Sequence, residues 1–306
     1  MGRRLAALAF VVGLCAVCVP ASASPRPVGM LGVVPHRGAS AAAADTLGRV
    51  ENLHYHGGKV ITSNTVHAVF WGTFDPSYVA GVDNYFADVA AASGATDNVY
   101  YVATQYFDKK PRRPRRYISY TVGQAADIVD TSAFPRSGCP VVGSYTHCLT
   151  DRQIQNELRK VAFVRGIGHI YFVFLPQGVD TCTGRVCAHN VFCAYHSAFH
   201  TRAGWIVYAN QPFGNVHGCE TGKSTQPNGA DVDDTLNLVS HEHNESITDP
   251  IGTAWFNRFG DEQADICSFA FGSVAANGSN QIINGNPYQL QEEWGNASRR
   301  CLQGGH

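Results

Sequence analysis

The sequence predicts an exported α/β protein with a mixed sheet flanked by helices and braced by disulfides. Three observations carry this expectation. β-Branched and aromatic runs alternate loosely with amphipathic segments. The amino terminus reads as a secretory signal. Beyond that signal the cysteines form an even set.

The signal occupies residues 1–23. Arg3 and Arg4 give the positive region, Leu5 to Val19 the apolar run, and Ala21-Ser22-Ala23 the small-x-small cleavage pattern. The run is too short for a stable membrane span, and no later stretch approaches the roughly 20 apolar residues required. The expected mature protein starts near Ser24, is secreted and has no membrane association once the signal is removed. Residues 24–50 are rich in Ala, Gly, Pro and Ser without apolar periodicity, and read as a flexible leader or pro-segment rather than core. Residues 51–306 then form a single domain.

Within that domain "TVHAVFWG" at 65–72 is a strand ended by Gly72. Pro76 opens a helix whose Val79, Val82, Phe86 and Val89 recur at helical spacing, stopped by Gly94. "DNVYYVATQYF" fits helix or strand, and "RYISYTVG" reads as a strand. Thr150 caps a helix with Ile154, Leu158 and Val161 on one face. "HIYFVFLP" at 169–176 is continuously apolar, as a buried central strand would be, and "GWIVYANQPF" at 204–213 is a further strand. "CAYHSAF" reads as a cysteine-rich loop. Net charge is −1, which does not mark a nucleic-acid binder. The one basic cluster, "KKPRRPRR" at 109–116, contains prolines and reads as a solvated loop.

Spacing does not fix the disulfide connectivity. Proximity favours Cys139–Cys148 and Cys182–Cys187, then Cys193–Cys219 and Cys267–Cys301. No C-x-x-C pair follows the signal, which argues against a cysteine zinc site. His54 and His56 alternate as strand neighbours and read as polar surface.

The stretch "SHEHNESITDP" at 240–250 carries the chemistry. Asp231, Asp233 and Asp234 suit a helix N-terminus, Val232, Leu236 and Val239 give an apolar face, and Pro250 ends the helix. His241 and Glu245 then stand one turn apart on the same side, as two metal donors on a helix must. The pattern is H-E-x-x-E, close to the H-E-x-x-H of zinc proteases, in which the Glu after the first ligand takes a proton from water. Here that residue is Glu242. Downstream, "GDEQADIC" supplies Glu262 and Asp265. One of them is expected as third ligand, the other as a partner for the free nitrogen of His241. His243 lies two residues from His241 and reads as surface or as support. His196 and Tyr195 are expected to line the cleft.

In the same order over about 52–303, "FCAYHSAF", "GCE", "SHEHNESITDP", "AWFNRFGDEQADIC" and "INGNPYQLQEEWGNASRRC" resemble the secreted proteins related to plant Exordium, the phosphate-induced family. The family pattern S-H-E-x-x-E-x-x-T-D-P, then G-x-E-I-x-D-x-C, falls on Ser240, His241, Glu242, Glu245, Thr248, Asp249 and Pro250, then Gly260, Glu262, Asp265 and Cys267. Gln263 departs from it, since an apolar residue is usual there. The resemblance implies an extracellular protein with a zincin-like helix; plant members are described as cell-wall growth-response proteins.

The expectation is thus a zincin-like mixed sheet with an active-site helix, its 251–306 part supplying a third ligand. The expected cofactor is Zn2+ at His241, Glu245 and one of Glu262 or Asp265, serving a hydrolase that acts on an extracellular peptide or cell-wall substrate. Carboxylate ligands would cancel much of the metal charge and also suit Ca2+, Mg2+ or Mn2+. The rival expectation is a non-enzymatic extracellular binding protein that keeps a structural metal, or an acidic helix end in which Glu242, Glu245 and Asp249 are solvated.

Overall fold

The computed structural model describes residues 30–37, 51–222 and 224–305. The expected signal and most of the leader lie outside them. The main sheet has seven strands: β1 (Val33–Pro35), β2 (Asn64–Trp71), β3 (Val122–Gln124), β4 (Ile128–Asp130), β5 (His169–Phe174), β6 (Phe192–Thr201) and β7 (Gly204–Gln211). Among the described residues four α-helices accompany it: α1 (Pro76–Ala91), α2 (Val99–Val102), α3 (Asp151–Val161) and α4 (Ala230–Thr248).

The strand order is β1-β6-β7-β5-β2-β3, with β4 also on β2. β5 runs parallel to both neighbours and is the buried centre that its apolar run predicts. β6 and β7 form an antiparallel hairpin, and β1 adds antiparallel to β6 at the edge. Alternation along the strands separates two cores. Phe70, Phe172, Phe174 and Val207 face Val82 and Phe86 of α1 and Leu236 and Val239 of α4. Val69, Tyr171, Val173 and Tyr208 face Ile154 and Leu158 of α3. Each such side chain contributes roughly 1.5–3 kcal/mol by leaving water.

Local signals explain the helix ends. Asp75 accepts a hydrogen bond from the Ser77 N–H at 2.8 Å, with Pro76 in the first turn of α1. Gln153 accepts from the Thr150 N–H at 2.8 Å, closing the start of α3. The ambiguous "DNVYYVATQYF" becomes α2 and a 3-10 turn, then a short strand at Phe107–Asp108; Asn98 caps α2 by accepting from the Tyr100 N–H.

Three expectations fail. "RYISYTVG" is two short strands, because a turn at Tyr120, closed by the Thr121 N–H to Ser119 O bond, tucks that ring into the core. "CAYHSAF" belongs to the ten-residue strand β6, with cysteine only near its start. Part of the leader contributes to the core, since Met30 and Val34 are buried.

Among the described residues the four disulfides are Cys139–Cys148, Cys182–Cys187, Cys193–Cys219 and Cys267–Cys301, as proximity favours. Among the described residues no helix is long and apolar enough to cross a membrane. The basic cluster is exposed except as Arg115 lies over the Phe107 ring and Arg116 pairs with Asp108. His54 opens a two-residue strand with Tyr55 and His56 follows it; both histidines are exposed, and His56 stacks on Phe256.

His67 on β2 is 7 % exposed and 3.1 Å from the His169 ring. Burial, then the neighbouring imidazole, pushes it down to about 4. The unfolded chain takes this proton near pH 6.5, the folded chain only near pH 4. The stability His67 allows is therefore full above pH 6.5 and falls as pH drops toward 4. His67→Gln should lose less Tm than the parent between pH 7.5 and pH 5 in paired thermal melts. An equal loss would exclude His67 as a source of acid sensitivity.

Candidate metal centre

Helix α4 lies between the sheet and the carboxy-terminal segment, and every residue from Val232 to Thr248 is buried. Its apolar side meets the sheet, so its polar side chains must find partners within the protein. Near the start, Asp233 accepts from the Asn228 N–H and Asp234 from the Thr221 N–H, both at 2.7 Å. Near the end stand His241, Glu242 and Glu245, all fully buried with Asp249. A solvated acidic helix end is therefore excluded.

Two further elements converge on these residues. β6 presents His196, while the preceding residue, Tyr195, faces the other way and donates to Asp151 at 2.8 Å. Tyr195 does not line the site. The turn at Asp265–Cys267, tied down by Cys267–Cys301, brings in both downstream acids. Asp265 Oδ2 accepts from the Glu262 N–H at 2.9 Å, and the Asp265 N–H donates to Glu245 Oε1 at 3.0 Å.

Glu245 is common to two groups of donors. In the first, His241 Nε2 lies 3.1 Å from Glu245 Oε1 and 3.6 Å from Asp265 Oδ1. In the second, His196 Nδ1 lies 3.6 Å from Glu245 Oε2, and His196 Nε2 3.6 Å from Glu262 Oε2. Within each group one donor atom per residue falls inside 4.8 Å of the others. Both downstream acids thus reach the site, each beside a different imidazole.

The second nitrogen of His241 is held by Gln291, which the sequence reading missed. Gln291 Nε2 donates to Ala264 O at 2.9 Å, so Oε1 is the atom that faces His241 Nδ1 at 3.2 Å. That arrangement puts a proton on Nδ1 and turns the Nε2 lone pair toward two carboxylate oxygens. Lone pairs in such contact repel unless a proton or cation lies among them. His241 Nε2, Glu245 Oε2 and Glu242 Oε1 are buried and make no hydrogen bond. These orphaned atoms and the mixed N/O donor set fit a divalent cation at His241, Glu245 and Asp265. The second group is more crowded: a Cβ at Gly32 would lie 1.6 Å from Glu245 Oε2 and 2.6 Å from His196 Nδ1.

The electrostatics follow from burial among opposite charges. Burial opposes the charged form of His241, but Glu245, Asp265 and Glu242 together outweigh it and hold the imidazole well above its ordinary value. His196 is raised in the same way, against burial, by Glu262, Glu242 and Glu245. Burial would raise Glu245, yet the two imidazoles hold it well below the usual carboxylate range. Glu242 is different: burial dominates and pushes it up to about 7. Its Oε2 lies 3.3 Å from His196 Nδ1. Burial also raises Glu293, which accepts from Asn244 at 3.3 Å. His243 is neither surface nor support for the donors: it bonds Asn64 Oδ1 and the Tyr100 hydroxyl within the core.

A divalent ion bound only by the folded chain should stabilise it by about 2.7 kcal/mol at a hundred times its Kd. Differential scanning calorimetry with added Zn2+, Ca2+, Mg2+ or Mn2+ should show that rise for one ion in the parent protein and lose it in Glu245→Gln. An unchanged rise in the variant would remove Glu245 from the ligand set.

No family model, no curated protein and no solved structure matches this chain.

Proposed function

We propose that the chain is a secreted metal-dependent hydrolase with peptidase-like chemistry, built on a zincin-like helix. The observation that carries this reading is the buried His241 Nε2, 3.1 Å from Glu245 and 3.6 Å from Asp265, with Glu242 the next residue on the helix. His241, Glu245 and Asp265 would hold the ion, with Zn2+ first and Ca2+, Mg2+ or Mn2+ as alternatives; Glu262 belongs beside His196. When bound, the cation supplies Lewis-acid polarisation of the reacting groups.

The remaining chemistry lies with the side chains. Glu242 Oε1 has no hydrogen-bond partner, and a carboxyl pushed up to about 7 is matched to proton exchange near neutral pH. It takes a proton from water as the water oxygen bonds to the amide carbon, and returns it to the nitrogen as the C–N bond breaks. His196, 3.3 Å from Glu242, orients that carboxyl and offers a positive ring to developing negative charge.

The second reading is an Exordium-type extracellular binding protein with a structural ion. It draws support from the complete burial of His196, His241, Glu242 and Glu245.

Glu242→Gln should retain the parent's metal content by inductively coupled plasma mass spectrometry while hydrolysis of a quenched peptide library falls about 10²- to 10⁴-fold. His241→Ala should lose the metal. A folded parent that purifies without a divalent ion and takes none up would defeat the hydrolase reading. Metal binding with no hydrolysis would favour the structural one.

A further inference from the structure

The donor-rich side of α4 is covered by the chain's own amino-terminal segment. Met30–Arg37 runs antiparallel to β6, with Val33 opposite Tyr195 and Val34 opposite Ala194. Its main chain reaches both sides of the site: the Leu31 N–H donates to His196 O at 3.0 Å, and the Arg37 N–H to Gly218 O at 2.7 Å. Between them the Gly32 N lies 3.2 Å from His196 Nδ1. Any side chain at 32 would collide with Glu245 and His196. Apolar anchors flank the glycine. Met30 is buried, and Val34 packs with Cys193, Ala194, Cys219 and Leu238. At the far end the Arg37 guanidinium bonds Glu220 O and lies 4.8 Å over the Phe269 ring.

The attachment is short and irregular. Pairing covers three residues and shifts register between Val34 and Pro35. It uses backbone bonds to an edge strand, the mode by which sheets receive extended peptides, with pockets for alternate side chains. Its least bulky residue lies against the catalytic candidates. A purely structural edge strand has no need to place a glycine against a buried imidazole and carboxylate.

We propose that β6 and the Gly218–Glu220 loop form a docking groove for an extended polypeptide, and that Met30–Arg37 is its resident occupant. The segment is a pseudosubstrate: it closes the groove until displaced. An incoming chain pairs with β6 as β1 does and lays its backbone over Glu242 and Glu245. This rests on the hydrolase reading only for cleavage; docking requires no chemistry.

The test uses the full chain with intact disulfides, in the parent, Val34→Asp and Gly32→Val forms. Val34→Asp removes an apolar anchor, and Gly32→Val removes the contact at the site. A fluorescein-labelled synthetic peptide with the sequence of residues 30–37 is titrated by fluorescence anisotropy. Amide hydrogen exchange of β6 and α4 is followed in parallel. If the resident segment leaves about one-tenth of the parent open, the peptide should bind a released variant about tenfold more tightly. Exchange should rise in β6 and stay protected in α4. Tighter binding with cleavage upholds both readings. Tighter binding without cleavage upholds the groove and counts against the hydrolase. Faster β6 exchange with no gain in peptide affinity in either variant overturns the groove. Parent protein that binds the peptide as well as the variants overturns occupancy by Met30–Arg37.

Discussion

Five carboxyl groups and two imidazoles share the buried region at the end of α4, and this concentration of charge constrains everything around it. Moving an isolated ion out of water costs several kcal/mol even after relaxation. Glu242, Glu245, Asp249 and Glu262 are fully buried, as are His196 and His241. Such a group is tolerable only if each charge meets an opposite one or a dipole. Glu245 achieves this by lying between both imidazoles and accepting the Asp265 N–H. Asp249 accepts from the Thr253 and Ala254 N–H groups at 2.6 and 2.7 Å, fastening the chain beyond the helix.

That requirement explains the surrounding architecture. The imidazole of His196 arrives from β6, whose register is fixed by pairing with β7 on one side. Asp265 and Glu262 arrive from a turn without long regular structure, and Cys267–Cys301 substitutes for a sheet or helix in fixing it. Gln291 ties that turn to the helix, since it bonds Ala264 O, His241 and Asn237 together. Cys193–Cys219 links β6 to the loop that receives Arg37. Two of the four crosslinks, Cys193–Cys219 and Cys267–Cys301, thus lie where backbone pairing is thin around the charged cluster.

The legible parts of the fold were those with strong local patterns. β2, β5, β7, α1 and α3 follow from periodicity and caps, and α4 from its apolar face and Pro250. H-E-x-x-E revealed two donors because helix geometry alone brings i and i+4 together. His196 was expected in the cleft, but its meeting with Glu242, Glu245 and Glu262 was not legible, because a strand residue meets a helix only through tertiary packing. Its neighbours alternate between two cores, a signal that "CAYHSAF" does contain once the cysteines are discounted. Gln291 and Gly32 carry no local mark of their role. Each is defined by what it touches 50 or 164 residues away in sequence.

The substitution of glutamate for the second histidine has a structural counterpart in this cluster. A histidine offers one donor nitrogen toward a ligand, whereas Glu245 offers two oxygens in different directions. Oε1 faces His241 and the Asp265 N–H, and Oε2 faces His196. The carboxylate therefore joins the helix donor to the strand donor, which a neutral imidazole at 245 would leave unconnected. The same negative charge lowers the electrophilicity of any ion beside it. A positively charged His196 next to Glu242 offsets part of that loss by stabilising negative charge from the opposite side. The strand histidine and the helix glutamate are thus mutually dependent: each supplies the charge that makes burial of the other tolerable.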